Sequence, residues 1–263
     1  MPDYATISVD TDKRGVVSLI LNRPDKRNAL SARMIAELTD FAETIGAAPA
    51  TRAVILSGAG KMFCAGGDLE WMQAQIHADR ATRMAEARKL AMMLSALNTM
   101  PAPLIGQIHG GAFGGGVGLA AVCDIALAQV GTRFGLTETR LGLIPATIGP
   151  YVIARLGEGH ARRVFMSSRR FDAREAQTLD LIADVVAPEA VADRVEAEVT
   201  PYLSVSPTAV AAAKRLARSM GPPINPEIID ATITRLADTW ETADAAEGIA
   251  AFLEKRPPSW DRN

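Results

Sequence analysis

The densest run of glycine in the chain lies near its middle and limits what the backbone there can form. Seven glycines lie between Gly106 and Gly118, in the segment GQIHGGAFGGGVG. Glycine is used where the backbone must take a positive φ or approach another group closely. The segment follows the apolar run LIGQIH and precedes GLAAVCD, so the pattern predicts a strand that turns sharply into a helix.

Three interpretations of this turn are open. The amides of Gly114, Gly115 and Gly116 would lie near a helix N-terminus, where unpaired N–H groups and the helix dipole favour developing negative charge, as in an oxyanion site. The glycines could instead only let a helix pack tightly on a sheet. The third interpretation is a dinucleotide-binding GxGxxA match that starts at Gly116, with Glu138 further along the chain. This match is disfavoured because three strand-like runs precede it, whereas such a fingerprint normally opens its domain.

The chain has 263 residues, of which 48% are hydrophobic and 22% charged, as expected for one large globular domain with or without a small appendage. Apolar runs at 16–22, 53–58, 104–109 and 124–129 predict buried strands, and helical patterns separate them. A helix that begins after Ser31 and stops near Gly46 is one example, and a second begins near Met84. Beyond residue 200 the pattern becomes helical, at 207–218, 226–240 and 244–255. We therefore expect an α/β fold, with a core over 1–200 that carries the active site and a helical region over 201–263.

Composition and motifs exclude several classes of protein. The net charge is −2, so we expect no nucleic-acid partner, and no run of ~18 apolar residues suggests a membrane span. The N-terminal segment carries acids where a secretory signal needs a basic region, which predicts a cytoplasmic protein. The chain lacks GxSxG, HExxH and GxxxxGK[ST] motifs. Its three histidines are scattered and its two cysteines lack CxxC spacing, so we expect no metal site.

A second glycine turn and one carboxylate complete the candidate chemistry. The segment FCAGGDLEWM, at 63–72, follows a predicted strand and enters a helix for which Asp68 is a plausible cap. Two such turns, each after a strand, could direct amides at one carbonyl oxygen. Glu138, in FGLTETRLGLIP, is the candidate acid, although it could equally cap a short helix or pair with Arg140.

Five segments, in this order along the chain, resemble the crotonase family of enoyl-CoA hydratases and isomerases: LNRPDKRNALS, GKMFCAGGDLEWM, GGAFGGGVGLAAVCDIALA, FGLTETRLGLIP and EGIAAFLEKRPPSW. The resemblance implies a crotonase-like spiral of repeated ββα units. It also implies a C-terminal helical subdomain that makes a homotrimer or a dimer of trimers. The expected substrate is an acyl-CoA thioester, so coenzyme A is part of the substrate and no separate cofactor is expected.

Site residues follow from the same resemblance. Gly67 and Gly115 would supply the amides that hold the thioester oxygen, and Glu138 would be the catalytic acid–base. Family hydratases with two catalytic glutamates carry the first of them where this chain has Gly118. The residues implied in binding coenzyme A are Arg27, Ala29, Ala65, Asp68, Leu69 and Lys255, the last of which could serve a neighbouring subunit.

These observations predict an enoyl-CoA hydratase. The segments around GGGVGLAAVCD and ETRLGLIPATIGPYVIARLG are similar to bacterial methylglutaconyl-CoA hydratases, which act on branched chains. A 3-enoyl-CoA to 2-enoyl-CoA isomerase is the alternative, because one glutamate suffices to move a proton between two carbons. Another crotonase reaction and a noncatalytic binding member of the family are lesser alternatives.

Overall fold

The computed structural model describes residues 3–262. The strands, in chain order, are β1 (Ile7–Thr11), β2 (Val16–Leu21), β3 (Ala53–Gly58), β4 (Leu104–Ile108), β5 (Gly111–Phe113), β6 (Ile125–Gln129), β7 (Arg133–Gly135), β8 (Arg170–Asp172) and β9 (Asp184–Val186). The helices are α1 (Ala32–Glu43), α2 (Leu69–His77), α3 (Arg80–Thr99), α4 (Gly115–Val122), α5 (Gly149–Leu156), α6 (Glu158–Phe165), α7 (Ala173–Thr178), α8 (Val191–Val199), α9 (Pro207–Ser219), α10 (Pro226–Trp240) and α11 (Ala243–Glu254). None of the helices within these residues is both long enough and apolar enough to span a membrane.

A six-stranded sheet in the order β1-β2-β3-β4-β6-β9 forms the centre of the fold. Only the β1–β2 pair is antiparallel, and the other neighbours run parallel. Parallel strands are covered on both faces, which explains why β3 and β4 appear in the sequence as continuous apolar runs. A second sheet, β5-β7-β8, carries the turns that lead to α4 and to Glu138.

The structure confirms the predicted strands at β2, β3, β4 and β6 but moves several helix ends. Helix α1 begins after Ser31, whose hydroxyl accepts from the Met34 N–H, but it ends at Glu43 rather than at Gly46. Helix α3 starts at Arg80, not near Met84, because Asp79 accepts a hydrogen bond from the N–H of Thr82 and caps it. Helix α4 begins at Gly115, three residues before the predicted apolar stretch.

Helices after residue 200 lie close to the predicted segments, and they pack on the core. Ile229 and Ile233 of α10 pack with Ala87 and Ala91 of α3. A Cβ added to Gly248 of α11 would lie 2.6 Å from the Leu141 carbonyl carbon, so α11 closely approaches the segment that follows Glu138. The division at residue 200 and the trimerisation role of 201–263 stay predictions.

Candidate active site

The two glycine turns lie directly against each other. The Cys64 N–H donates to the Gly111 carbonyl at 3.1 Å, and the Phe113 N–H donates to the Cys64 carbonyl at 3.0 Å. Gly66 has φ +100° and Gly114 has φ +47°, and a Cβ on Gly114 would lie 3.9 Å from the Gly66 Cα. The close approach and the positive φ angles explain why both turns require glycine.

Two N–H groups at this junction are free. Gly115 is the first residue of α4, so its N–H has no partner within the helix. The short β-bridge between Leu30 and the second glycine turn is formed by the Gly66 carbonyl and the Asp68 N–H, so the Gly67 N–H takes no part in it. Among residues 3–262 neither N–H makes a hydrogen bond. The arrangement therefore offers two unpaired donors on adjacent turns, as an oxyanion site requires.

Glu138 lies beside these turns, at the start of a 3-10 helix over Glu138–Leu141 that follows β7. Its Oε1 is 3.3 Å from the point where a Cβ on Gly114 would lie. Its Oε2 is buried and has no hydrogen-bond partner among the described residues. Burial raises the pKa of the carboxyl to about 7, an effect that the N–H groups of Glu138 and Thr137 partly oppose. A carboxyl with such a pKa can both accept and deliver a proton near neutral pH.

The position of the absent first glutamate faces apolar side chains. Gly118 is buried in α4, and a Cβ there would lie 2.8 Å from Ile148 Cγ2 and 3.2 Å from Leu94 Cδ1. The space that a longer side chain would need is therefore occupied. This region of the site provides neither a carboxylate nor room for one without displacement of Ile148.

Most of the residues implied in coenzyme A binding lie around the second turn. The Ala65 N–H donates to the Arg27 carbonyl at 3.0 Å, which joins that turn to the loop after β2. Ala29, in the same loop, is buried, whereas Leu69 at the start of α2 is half exposed.

Asp68 and Lys255 are placed differently from the rest. The Asp68 carboxylate is buried, accepts from the N–H groups of Glu70 and Trp71, and pairs with Arg23 at 2.8 Å. Burial acts to raise the pKa of Asp68, but the Arg23 hydrogen bond and the two N–H groups hold it below its ordinary value. The Asp68 N–H donates to the Leu30 carbonyl at 3.0 Å and its carbonyl accepts from the Met72 N–H at 2.9 Å, so the main chain of Asp68 is also engaged within the protein. Lys255 is exposed at the end of α11, and its ammonium group makes no hydrogen bond or ion pair within residues 3–262.

An apolar cleft that the sequence did not indicate lies beside the site. Met72 lies 3.6 Å from the Cβ position of Gly67, and Leu141 belongs to the 3-10 helix that begins at Glu138. Both line the cleft, whose other wall is formed by α10 and α11. Its lining residues are Leu69, Met72, Gln73, Ile76, Leu141, Trp240, Ile249, Phe252 and Leu253. The helical spacing of Leu69, Met72 and Ile76 was a usable signal, but only the fold shows what faces them.

Comparison with known proteins agrees with this geometry. The family described as Enoyl-CoA hydratase/isomerase matches residues 11–263. A protein of Mycobacterium tuberculosis named "Probable enoyl-CoA hydratase echA8" is 32% identical over 98% of this chain and 98% of its own length. The crystal structure of an enoyl-CoA hydratase from Shewanella pealeana has a TM-score of 0.80 and 36% identity, covering 98% of this chain and 96% of that one. An enoyl-CoA hydratase structure from Mycobacterium avium has a TM-score of 0.84 and 30% identity, with 98% and 99% covered. The chain thus has the α/β crotonase fold and belongs to the enoyl-CoA hydratase/isomerase family.

Proposed function

We propose that the protein is an enoyl-CoA hydratase, which adds water across the double bond of a 2-enoyl-CoA thioester. The observation that carries the proposal is the buried Oε2 of Glu138, which has no hydrogen-bond partner among the described residues, next to the free N–H groups of two glycine turns. The names of similar proteins, among them the hydratases of Shewanella pealeana and Mycobacterium avium, support the same reaction.

In the proposed mechanism the thioester oxygen accepts hydrogen bonds from the N–H groups of Gly67 and Gly115. Water attacks C3 of the substrate, and the electron pair of the double bond moves onto the thioester as an enolate, which these donors stabilise. Glu138 takes the proton from water as the C3–O bond forms and then delivers it to C2. The carboxylate is regenerated in each turnover, and its pKa of about 7 suits both steps.

Coenzyme A is proposed to bind along the two loops joined by the Ala65–Arg27 hydrogen bond. Ala29 and Leu69 flank coenzyme A, Asp68 holds the turn against which coenzyme A lies, and Lys255 reaches a phosphate. We also propose that the protein is a homotrimer or a dimer of trimers. In that assembly Lys255 would reach the phosphate of a coenzyme A molecule that is bound to a neighbouring subunit. The nucleotide is part of the substrate, so the proposal includes no separate cofactor.

The acyl group is proposed to enter the cleft beside Met72, whose volume is only about 10 Å³, so the side chains that line it must move apart to admit the chain. This cleft is almost wholly apolar, with Gln73 as its polar exception, and it favours a hydrocarbon chain. A branched dicarboxylic acyl group, as in 3-methylglutaconyl-CoA, is the second substrate to test, because the sequence segments around Gly118 and Glu138 resemble enzymes for it.

Isomerisation of a 3-enoyl-CoA is the second candidate reaction, and one observation favours it. Ile148 fills the space next to Gly118, so Glu138 has no second carboxylate at that position to help orient water. A single carboxyl that moves a proton between two carbons needs no such partner.

Product mass distinguishes the two reactions. The protein is incubated separately with crotonyl-CoA, 3-methylglutaconyl-CoA and a 3-enoyl-CoA in water enriched in oxygen-18. We expect a product that carries one labelled water, formed by the wild type but not by Glu138→Gln. Glu158→Gln is the matched control, because Glu158 is an exposed glutamate on α6. Double-bond migration without label would replace the hydratase proposal by the isomerase, and no reaction with any of the three substrates would reject both.

A further inference from the structure

A second cavity lies at the opposite end of α4 from the candidate active site. Its volume is about 230 Å³, and its walls include Asn98, Ala121, Tyr151, Arg155, Arg218 and Pro222. Gly115 begins α4 and Ala121 lies near its end, so roughly 9 Å of helix separates them at 1.5 Å per residue. The cavity is therefore distinct from the cleft beside Met72, with which it shares no lining residue.

One of the two arginines in the cavity has a structural role. The Arg155 Nε donates to the Ala121 carbonyl at 3.2 Å, and its two terminal nitrogens donate to the carbonyls of Cys123 and Asp124. These carbonyls close the C-terminal end of α4, where they have no partners within the helix. Arg155 thus places a fixed positive charge at the cavity wall.

The other arginine has no such role. Arg218 is half-buried near the end of α9, and its guanidinium group makes no hydrogen bond or ion pair with any of residues 3–262. Asp124 attracts it, but Asp124 Oδ2 already accepts from Lys214 Nζ at 2.6 Å and from the Leu104 N–H at 2.8 Å. Burial lowers the pKa of Arg218 below its usual value. A charged group held partly out of water without a partner is costly, and an anion would remove that cost.

The polar atoms nearby favour an anion and leave room for it. The Tyr151 hydroxyl donates to the Ala91 carbonyl at 2.6 Å and does not pair with Arg218. The Asn98 side-chain amide has no hydrogen-bond partner among the described residues and is free to donate. No carboxylate belongs to the lining residues that the structure shows there.

We propose that this cavity binds a small oxyanion, a phosphate or a carboxylate group, through Arg218 and the Asn98 amide, with Arg155 as the supporting charge. The volume of about 230 Å³ lies below the roughly 300–1,000 Å³ of pockets for drug-sized ligands, which limits the ligand to a small molecule or one group of a larger one. The proposal does not depend on the reaction catalysed at Glu138.

Calorimetric titration of the full chain tests the proposal. Sodium phosphate and sodium succinate are the probes, in separate titrations, with sodium chloride at equal ionic strength as the reference. Phosphate that binds at the substrate site is distinguished by variants of α9, because those variants leave the substrate site unchanged. We expect saturable binding with a Kd of about 1–10 mM, the weak range for one small ion. The tighter of the two probes identifies the group that the cavity prefers.

Variants of α9 locate the site. Arg218→Gln should weaken binding at least about tenfold, the usual scale for loss of a hydrogen bond to a charged group. Arg215→Gln is the matched control, because Arg215 is an exposed arginine on the same helix, and its Kd should stay within about twofold of wild type. Ala217→Glu keeps Arg218 but adds a negative charge to the wall, and it should also weaken binding at least about tenfold. If Arg218→Gln fails to fold, Ala217→Glu alone tests whether the anion binds beside Arg218.

Two results would overturn the proposal. One is a wild-type response to both anions that equals the response to chloride, including the case where a second copy of the chain covers the cavity in solution. The other is binding that Ala217→Glu and Arg218→Gln leave at the wild-type Kd.

Discussion

Asp68 and Glu138 are two acids that end glycine-containing loops of one site, yet their carboxyl groups lie in opposite environments. Asp68 accepts from two helix N–H groups and pairs with Arg23, and its pKa is held below its ordinary value. Glu138 has a buried, unpaired Oε2, and burial raises its pKa to about 7. A fully paired carboxylate stabilises the fold, whereas an unpaired one costs stability and keeps its proton available for chemistry. The contrast supports the proposal that Asp68 stabilises the turn and that Glu138 transfers the proton.

The largest expected effect is on turnover, in Glu138→Gln. The amide has nearly the shape of the carboxyl but cannot transfer a proton, so kcat should fall by about a hundredfold to ten-thousandfold with little change in acyl-CoA affinity. Steady-state kinetics and a binding titration measure the two quantities, with Glu158→Gln as the control. Turnover close to wild type on every enoyl-CoA would make Glu138 a structural residue like Asp68.

Gly115→Val tests the donor side of the site. A Cβ at this position would lie 2.6 Å from Leu30 Cδ1, so valine must shift α4 or Leu30 and move the Gly115 N–H from its place. Loss of one oxyanion donor costs about 3 kcal/mol, so we expect roughly a hundredfold lower kcat. Gly159→Val is the matched control, because Gly159 also lies in the first turn of a helix and has open space around its Cβ position. Equal kinetics in the two variants would remove the Gly115 N–H from the mechanism.

Asp68→Asn should act on stability instead. Asparagine still caps α2, but Arg23 loses its charged partner, which we expect to lower the free energy of unfolding by about 2 kcal/mol. Asp79→Asn is the control, because Asp79 caps α3 on the surface and, although Arg83 attracts it, makes no salt bridge with an arginine among the described residues. Urea unfolding of the three proteins at pH 7 isolates the Arg23 pair. The same loss in both variants would mean that the ion pair contributes nothing beyond the cap.

Sequence patterns predicted the parts of this site that are local. Ser31 and Asp68 stand before amphipathic segments, and both cap the helices that follow them. The three-residue strands β5, β7 and β8 are too short to show a period, so the sheet that carries Glu138 was not predicted. Helix α4 begins in three glycines, which have low helix propensity, because burial and close packing override it.

The environment of each acid could not be predicted from local patterns. Glu138 could have capped a helix or paired with Arg140 as far as the sequence shows. Its burial depends on contacts with Gly114, more than twenty residues away. The contact of Ile148 with Gly118 is likewise distant in sequence, and it decides that no second carboxylate fits there. The burial of Glu138 and the contact of Ile148 with Gly118 depend on tertiary packing, which a local sequence motif does not specify.

The smallest expected effect is the pH dependence of stability, where the two acids should differ in sign. The folded pKa of Asp68 is depressed, so its contribution is present above the ordinary value and is lost as the pH falls through the folded pKa. The folded pKa of Glu138 is raised from 4.5 to about 7, so the folded protein keeps a proton that the unfolded chain releases. The cost of its charge is absent below pH 4.5, grows as the pH rises, and is complete above about pH 7.

Glu138→Gln should therefore have nearly the wild-type free energy of unfolding at pH 4.5 and about 1 kcal/mol more than wild type at pH 8. This value is smaller than the full pKa shift would give, because solvent near this half-buried residue screens its charge. Asp68→Asn should be less stable than wild type at pH 8 and approach it at low pH. Urea unfolding across this range measures both trends, and a Glu138→Gln variant that is less stable than wild type at pH 8 would show that its carboxylate has a stabilising partner after all.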